Sequence, residues 1–330
     1  MAVKYPSDPT QSSHCINWSA AEFQRFGVEP QVSSHGYHQT ELFSDSALEQ
    51  LLDDYPRKWL QCYTMGYDPE KHEEWSPVHI AKRSGKEILA ALAKGRMWVN
   101  VTNIDKYSGE YAALLADMYA IINANCPQIT HAKPSFSALL ISSPGVQVYC
   151  HVDADANMLW HLKGRKRVWV YPANDRRFTP QTYIEEIIGE ERHENIPYER
   201  WYDDHAFAHE LLPGEVVSWP QHSPHRVENV DFNVSLTTSY GSRESRQRIG
   251  VHGANHHFLK PLGFRNRGTG HVGMIAAVKM YSYYIAKKLG FIKPGNRTAS
   301  YESALELDPS HPQGMSELSE KTLPAFAFTE

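Results

Sequence analysis

The chain has 330 residues, and 33 Lys+Arg against 38 Asp+Glu give a formal net charge of −5. Hydrophobic residues at 41% and charged residues at 22% suit a soluble protein with one large core, and exclude wholesale disorder. The acidic balance excludes a general nucleic-acid-binding surface, and no uncharged apolar run approaches the roughly 18 residues of a membrane span. The four cysteines (Cys15, Cys62, Cys126, Cys150) are scattered without a CxxC pair. That pattern fits a reducing compartment and excludes a disulfide scaffold or a thiolate zinc knuckle. The first ten residues lack the apolar core of a signal peptide, so the cytoplasm is the expected location. The sequons at Asn17, Asn100, Asn233 and Asn296 then carry no weight.

The first third reads as mixed helix and strand. Ser46-Ala-Leu-Glu49 and Ser84-Gly-Lys-Glu87 are capping-box patterns, and the second opens a helix that Gly95 ends. Met97–Thr102 follows as a strand. Ser108 caps a longer helix through Asn125, stopped by Cys126-Pro127. From Phe136 the texture changes to short strands between turn residues. Strands are expected at Phe136–Ile141, Val146–His151, Asn157–Leu162, Arg167–Tyr171, Val216–Trp219, Arg226–Asn229 and Asn233–Tyr240. Close spacing of this kind predicts a small barrel or sandwich. An acidic, aromatic-containing segment from Ala173 to Leu212 interrupts it. After Gly241 the chain turns helical, with Gly270–Leu289 at helical spacing and Gly290 as stop, and the tail from Asn296 is expected to be loosely ordered.

Two motifs need weighing. Gly268-Thr-Gly270-His-Val-Gly273 matches the dinucleotide fingerprint, but no buried strand precedes it and no acidic residue occurs from Gly273 to Ser300, so it reads as a flexible helix start. His-x-Asp/Glu, half of a facial metal triad, occurs twice, no more often than chance allows for 18 His and 38 acidic residues. His72 lies in the charged run Glu70–Glu74 and reads as solvated loop. His151 instead ends an apolar strand, and residues i and i+2 of a strand share a face, so His151 and Asp153 can aim at one point in a barrel mouth.

A histidine entering a later strand can complete the set. After Pro213–Pro220, His225 heads Arg226–Asn229 and is preferred to His222 as the third ligand. Two imidazoles and one carboxylate on one face leave three positions open, the coordination of non-haem Fe(II) oxygenases. If 2-oxoglutarate chelates such an iron, its far carboxylate needs a buried cation. Lys166 alternates with Val168 and Val170 on one strand face and can supply it, although a turn lysine within the basic run Lys163–Arg167 is the plainer reading.

The stretch Ala138–Gly145 through His151-Val-Asp153, Asn157 and Lys163–Arg167 to Tyr171-Pro172 resembles the JmjC/cupin-like 2-oxoglutarate oxygenases. It is most similar to the branch containing the asparaginyl hydroxylase that inhibits hypoxia-inducible factor. The separation of His151 from Lys166 and the segment from Pro213 to His225 match that branch, with coverage from about Trp98 to Tyr240. The resemblance implies that His151, Asp153 and His225 hold Fe(II), that Lys166 anchors 2-oxoglutarate, and that Asn157 lies beside the cosubstrate. It places Trp98 where the branch has a carboxylate-binding tyrosine. At Val148 the branch has a hydroxyl-bearing residue, and Tyr149 is a candidate substitute; Thr238 and His161 are further pocket candidates.

The expected architecture is mainly β with flanking α. It comprises a double-stranded β-helix (cupin/jelly-roll barrel, 131–245), an N-terminal α/β layer (1–130) and a C-terminal helical extension and tail (246–330), within one domain. The resemblance implies hydroxylation of an unactivated C–H of a protein side chain or small molecule, with release of succinate and CO₂. A metal-dependent cupin enzyme that does not use 2-oxoglutarate and a non-catalytic cupin-like binding protein are the alternatives. Ala173–Leu212, with Tyr183, Tyr198, Trp201, Tyr202 and Phe207, is expected as a lid or an ordinary insertion. The helix Met274–Leu289 carries apolar residues that could pair two subunits or pack on the barrel.

Overall fold

The computed structural model describes residues 15–293, 295 and 302–322. The readings of the first ten residues, of Asn296 and of the last eight residues lie outside that range. Helix α1 (Ala20–Arg25) and strand β1 (Gln31–Ser34) open the described chain, followed by α2 (Asp45–Asp54), β2 (Leu60–Met65), β3 (Trp75–His79), α3 (Gly85–Lys94), β4 (Met97–Thr102), α4 (Ile104–Tyr107) and α5 (Gly109–Asn125). Ser84 and Glu87 form the reciprocal cap at α3, as the pattern predicts. Helix α2 starts two residues early instead. Ser44, not Ser46, accepts the orphan amide of Ala47, because Asp45 favours the first turn beside the positive end of the helix.

Eight strands then form the barrel: β5 (Lys133–Ser142), β6 (Gln147–His151), β7 (Ala156–Lys163), β8 (Lys166–Val170), β9 (Phe207–Leu211), β10 (Glu215–Ser218), β11 (His225–Asn229) and β12 (Asn233–Gly241). Helix α6 (Gln181–Ile188) lies between β8 and β9. The pairs β5·β12, β6·β11, β7·β10 and β8·β9 are all antiparallel. They constitute one long ribbon whose tip is the β8–β9 connection. The ribbon is wound so that β10-β7-β12-β5 lie in one sheet and β6-β11-β8-β9 in the other. That winding is a double-stranded β-helix.

The larger sheet continues past the barrel through β4, β2 and β3. One face is covered by α2, α3 and α5, whose Leu48, Leu52, Ile88, Leu115 and Met118 pack on Val99, Leu139, Met158 and Leu236. Strand β7 is buried along nearly its whole length because both its faces are covered. Trp160, at 0% exposure, is the hub of this layer, with Trp18 stacked at 6.2 Å and His35 and Tyr37 edge-on at 5.3 and 5.6 Å.

After the barrel come α7 (Arg243–Ala254), continuing into one turn of π-helix at Asn255–Leu259, and α8 (Met274–Lys288). The two helices pack closely because α7 presents Gly250 and Gly253. A Cβ there would lie 2.8 Å from Met280 and 2.4 Å from Tyr283. The expected loose tail is corrected over its described part. β13 (Ser303–Leu307) runs parallel to β3 and pairs with β14 (Met315–Thr322), extending the larger sheet. Its alternation was masked by polar residues, whose backbone is nonetheless held by the β3 edge, with Ser303 donating to Pro77 O and Arg83 to Leu307 O. Replacing Trp160 by Ala should cost about 3–5 kcal/mol of unfolding free energy, through lost burial and an unfilled cavity. Urea denaturation followed by circular dichroism measures it, and a loss below about 1 kcal/mol would deny Trp160 this role.

Candidate metal centre and its cavity

The hydrogen-bond register of β6 and β11 sets His225 directly opposite His151. Their imidazoles stand with ring centroids 4.0 Å apart. Asp153 follows two residues after the end of β6. Its Oδ1 lies 3.9 Å from His151 Nε2 and its Oδ2 3.5 Å from His225 Nε2. The three donor atoms lie within 4.8 Å of one another. A β-bulge precedes them: between paired positions, β11 advances from His225 to Val227 while β6 goes from His151 back to Val148. The extra residue puts Val148 and His151 on the same inward face and turns Tyr149 out, where it packs with Met65 and Val146. Tyr149 therefore does not replace the missing hydroxyl at Val148. Simple alternation could not show this.

Second contacts fix the ring tautomers. His151 Nδ1 bonds Tyr149 O at 2.8 Å and His225 Nδ1 bonds Ser223 O at 3.1 Å. Because a carbonyl only accepts, each Nδ1 carries a proton, which leaves Nε2, on the side of the Asp153 carboxylate, as the nitrogen free to ligate. Burial, together with the neighbouring His151, pushes His225 down to about 4, so it is neutral at pH 7. Two imidazole lone pairs and a carboxylate facing one another beyond hydrogen-bond length make an arrangement that a divalent cation satisfies. The donor set, two imidazoles and one carboxylate, fits iron(II).

Asn157 on β7 donates from Nδ2 to Asp153 Oδ2 at 2.7 Å. Its own Oδ1 accepts from Thr237 Oγ1 at 3.0 Å and from the Met158 amide at 2.7 Å. This chain of bonds holds the carboxylate in place. Trp219, 3% exposed, lies against His225 with ring centroids 4.5 Å apart. Neither Thr237 nor Trp219 was singled out from sequence, since only the β12 register and the barrel closure bring them to the centre.

His151, Asp153, His225, Asn157 and Lys166 line one cavity of about 820 Å³. Lys166 starts β8, pairs with Asn229, and is four residues along the sheet from Val170, which pairs with His225. At roughly 3.3 Å per residue it sits about 13 Å, backbone to backbone, from the metal donors. Lys166, Val168 and Val170 are buried while Arg167 and Trp169 are half-exposed, which is the alternation expected from sequence. The lysine is 2% exposed and makes no ion pair or hydrogen bond among the described residues. Burial pushes its ammonium down to about 7. Trp98 lines the cavity beside Tyr63, at 5.2 Å between rings.

Other expectations change. Thr238 is buried on the outer face of β12 beside Tyr119, and Thr237 and Ser239 face the cavity in its place. His161 is 0% exposed with both ring nitrogens occupied, by Ser235 Oγ at 2.9 Å and Gly164 O at 2.7 Å, so it is a packed core residue. His222 lies outside the donor group, in a left-handed conformation with Nε2 on Ala154 O. Of Ala173–Leu212, only Ile187, Ile188, Glu190 and Glu194 reach the cavity. Tyr198 and Tyr202 are buried with Tyr171 and Phe178 behind the smaller sheet, and Phe207 belongs to β9. The rest of the mouth comes from α7 and α8, through Arg246, Ile249, Tyr283, Tyr284 and Lys287.

No protein-family model matches the chain, and no curated protein matches it. Solved structures of Escherichia coli YcfD are similar in shape at low identity. One described as a ribosomal oxygenase has a TM-score of 0.48 and 14% identity over 82% of this chain and 67% of that one. Another, in complex with cobalt and 2-oxoglutarate, has a TM-score of 0.47 and 15% identity over 83% and 67%. A third, with cobalt and succinic acid, has a TM-score of 0.48 and 14% identity over the same shares.

Replacing Asn157 by Ala should weaken divalent-metal binding about 10–100-fold by freeing the Asp153 carboxylate. Titration with Mn(II), read by water-proton relaxation, measures the change, and an unaltered affinity would remove Asn157 from this positioning role.

Proposed function

We propose that the protein is an Fe(II)- and 2-oxoglutarate-dependent oxygenase of the JmjC/cupin-like kind, acting on an unactivated C–H of a protein side chain or small molecule. The observation that carries this reading is one cavity holding a His–Asp–His donor set and a buried ammonium with no anionic partner. His151, Asp153 and His225 would hold the iron, and Lys166 the far carboxylate of 2-oxoglutarate. When bound, the iron and its cosubstrate supply the oxidation: O₂ is divided between succinate, formed with loss of CO₂, and a hydroxylated product.

The residues contribute position and exclusion of water. Neutral His225 presents a lone pair without proton release at pH 7. Asn157 and Thr237 hold Asp153. Val148, Leu159, Val227 and Trp219 present apolar surface within the cavity, which strengthens the attraction between Lys166 and a carboxylate. Trp98 lines the same cavity from β4 in the larger sheet, where its indole N–H would reinforce that carboxylate contact. Four free cysteines accord with a cytoplasmic setting.

The ammonium of Lys166 titrates near 7 in the free protein, and a bound carboxylate favours its charged form. Binding 2-oxoglutarate therefore takes up a proton above pH 7. Affinity should be nearly constant below that value and fall by about tenfold per pH unit above it until the liganded pKa is reached. Calorimetry in buffers of different ionisation enthalpy checks both the fall and the proton count. Lys166→Met should abolish this binding yet retain Mn(II) affinity. Unchanged 2-oxoglutarate binding in that variant would favour a metal cupin that does not use this cosubstrate.

The same reading includes a homodimer through α8. Met274, Ile275, Val278, Tyr281 and Ile285 are between 56% and 82% exposed, at the spacing of a helix-packing seam, while Ala276 and Tyr283 pack inward. A second copy would bury this row, which does not pack on the chain's own barrel. Sedimentation should find a dimer at micromolar concentration, and Ile275→Glu with Val278→Glu should give monomers. A monomeric parent protein would refute the pairing.

A further inference from the structure

A second pocket, of about 300 Å³ and open to solvent on the side of Asn174 and Arg176, is lined by the segment after β8, the loop before β11, α7 and residues 269–271. None of His151, Asp153, Lys166 and His225 lines it. It shares Asn174, Arg176, Gln221, Arg248 and His271 with an adjoining chamber of about 670 Å³. Its wall is tied to the loop that carries Asp153, because Gln221 Nε2 and His222 Nε2 both bond Ala154 O, at 2.9 and 3.1 Å.

The charge in this chamber is one-sided. Arg176 and Arg248 line it with His222, His252 and His271, and no carboxylate does. Among the described residues, Arg176 is held only by the amide oxygen of Gln181, at 2.9 Å. Arg248 has no ion pair or side-chain hydrogen bond among the described residues, and burial pulls its guanidinium below the ordinary value. The nearby carboxylates are already engaged. Glu185 is paired with Arg267 at 2.7 Å, Asp175 with Arg177 at 2.6 Å, and Glu244 with the Thr130 hydroxyl at 2.7 Å.

Two deeply buried side chains point the same way. Thr179 and His252 are 3% and 7% exposed and both line the chamber. Thr179 Oγ1 and His252 Nδ1 have no hydrogen-bond partner among the described residues. Buried polar atoms are almost always paired, so these atoms and the free guanidinium form a polar set that lacks its partner, in which His252 can donate as its Nδ1–H tautomer.

We propose that this chamber is a binding site for a phosphate group, separate from the metal centre. Guanidinium, hydroxyl and imidazole groups arrive from three segments of chain, which suits a tetrahedral dianion with several acceptor oxygens better than a planar carboxylate. Gln221 Oε1, also buried without a partner among the described residues, is an acceptor for the one O–H of monohydrogen phosphate. The group comes either as free phosphate or as the end of a larger monoester whose remainder occupies the adjoining chamber.

Calorimetric titration of the full chain with inorganic phosphate, and separately with adenosine 5′-monophosphate, distinguishes the sources. The expected result is one saturable site per chain for at least one of the two, weakened at least tenfold by Arg248→Gln and unchanged by Lys166→Met. Tighter binding of the monophosphate assigns the site to a monoester, and equal or weaker binding assigns it to the free anion. Absence of saturable binding for both probes overturns the proposal, as does parental affinity in a folded Arg248→Gln protein. Should that variant fail to fold, Thr179→Val, which removes one hydroxyl at nearly constant volume, carries the test: a several-fold loss supports the site and parental affinity overturns it.

Discussion

The antiparallel register between β6 and β11 is the constraint on which the centre depends. It sets His225 opposite His151, and the bulge in β6 resets the pleat so that both rings face inward. Backbone hydrogen bonds enforce this placement, not side-chain preference. A slip of one residue would send an imidazole to the outer face. The loop after β6 then needs to deliver only one carboxylate, and the Asn157–Thr237 chain of bonds keeps it there.

The barrel separates two environments along its interior. Leu159, Val168, Val170, Val217 and Val227 make an apolar lining, while Asn157, Thr237, His151 and Lys166 add polar groups at chosen points. Burying an ammonium without a counter-charge opposes folding, and the depressed pKa of Lys166 is the sign of it. The structure tolerates that cost because the surrounding apolar core is extensive, with helices on one side of the larger sheet and an aromatic cluster behind the smaller one.

Much of this was legible in the sequence. Strand positions, the alternation of Lys166 with Val168 and Val170, and the location of His151 and His225 at strand ends followed from period-2 patterns and turn residues. Asp153, by contrast, lies in the loop beyond β6 and not on the strand face that alternation predicts. What alternation could not supply was anything that depends on an irregularity or on distant packing. The bulge turned Tyr149 out of the cavity. Thr238 lies on the outer face because the phase of β12 is set by its neighbours, which bring Thr237 and Ser239 inward. The aromatic residues of the long insertion have no period at all, and their burial behind the smaller sheet is a tertiary fact. Helix α8 had a readable stripe, but not which neighbour it served: the packed side is the one with Ala276 and Tyr283.

The parts of the cavity differ in how they are anchored. His225 and Lys166 belong to strands laddered by backbone bonds on both sides, and His151 to a strand laddered to β11, with Asp153 just beyond its end. Much of the mouth belongs to α7 and α8, which meet where two glycines leave room for Met280 and Tyr283. A helix seated on such smooth ground can shift its axis while the ladders stay intact. Small substitutions along that seam would therefore give the protein a way to admit new molecules while its oxidising apparatus is inherited unaltered.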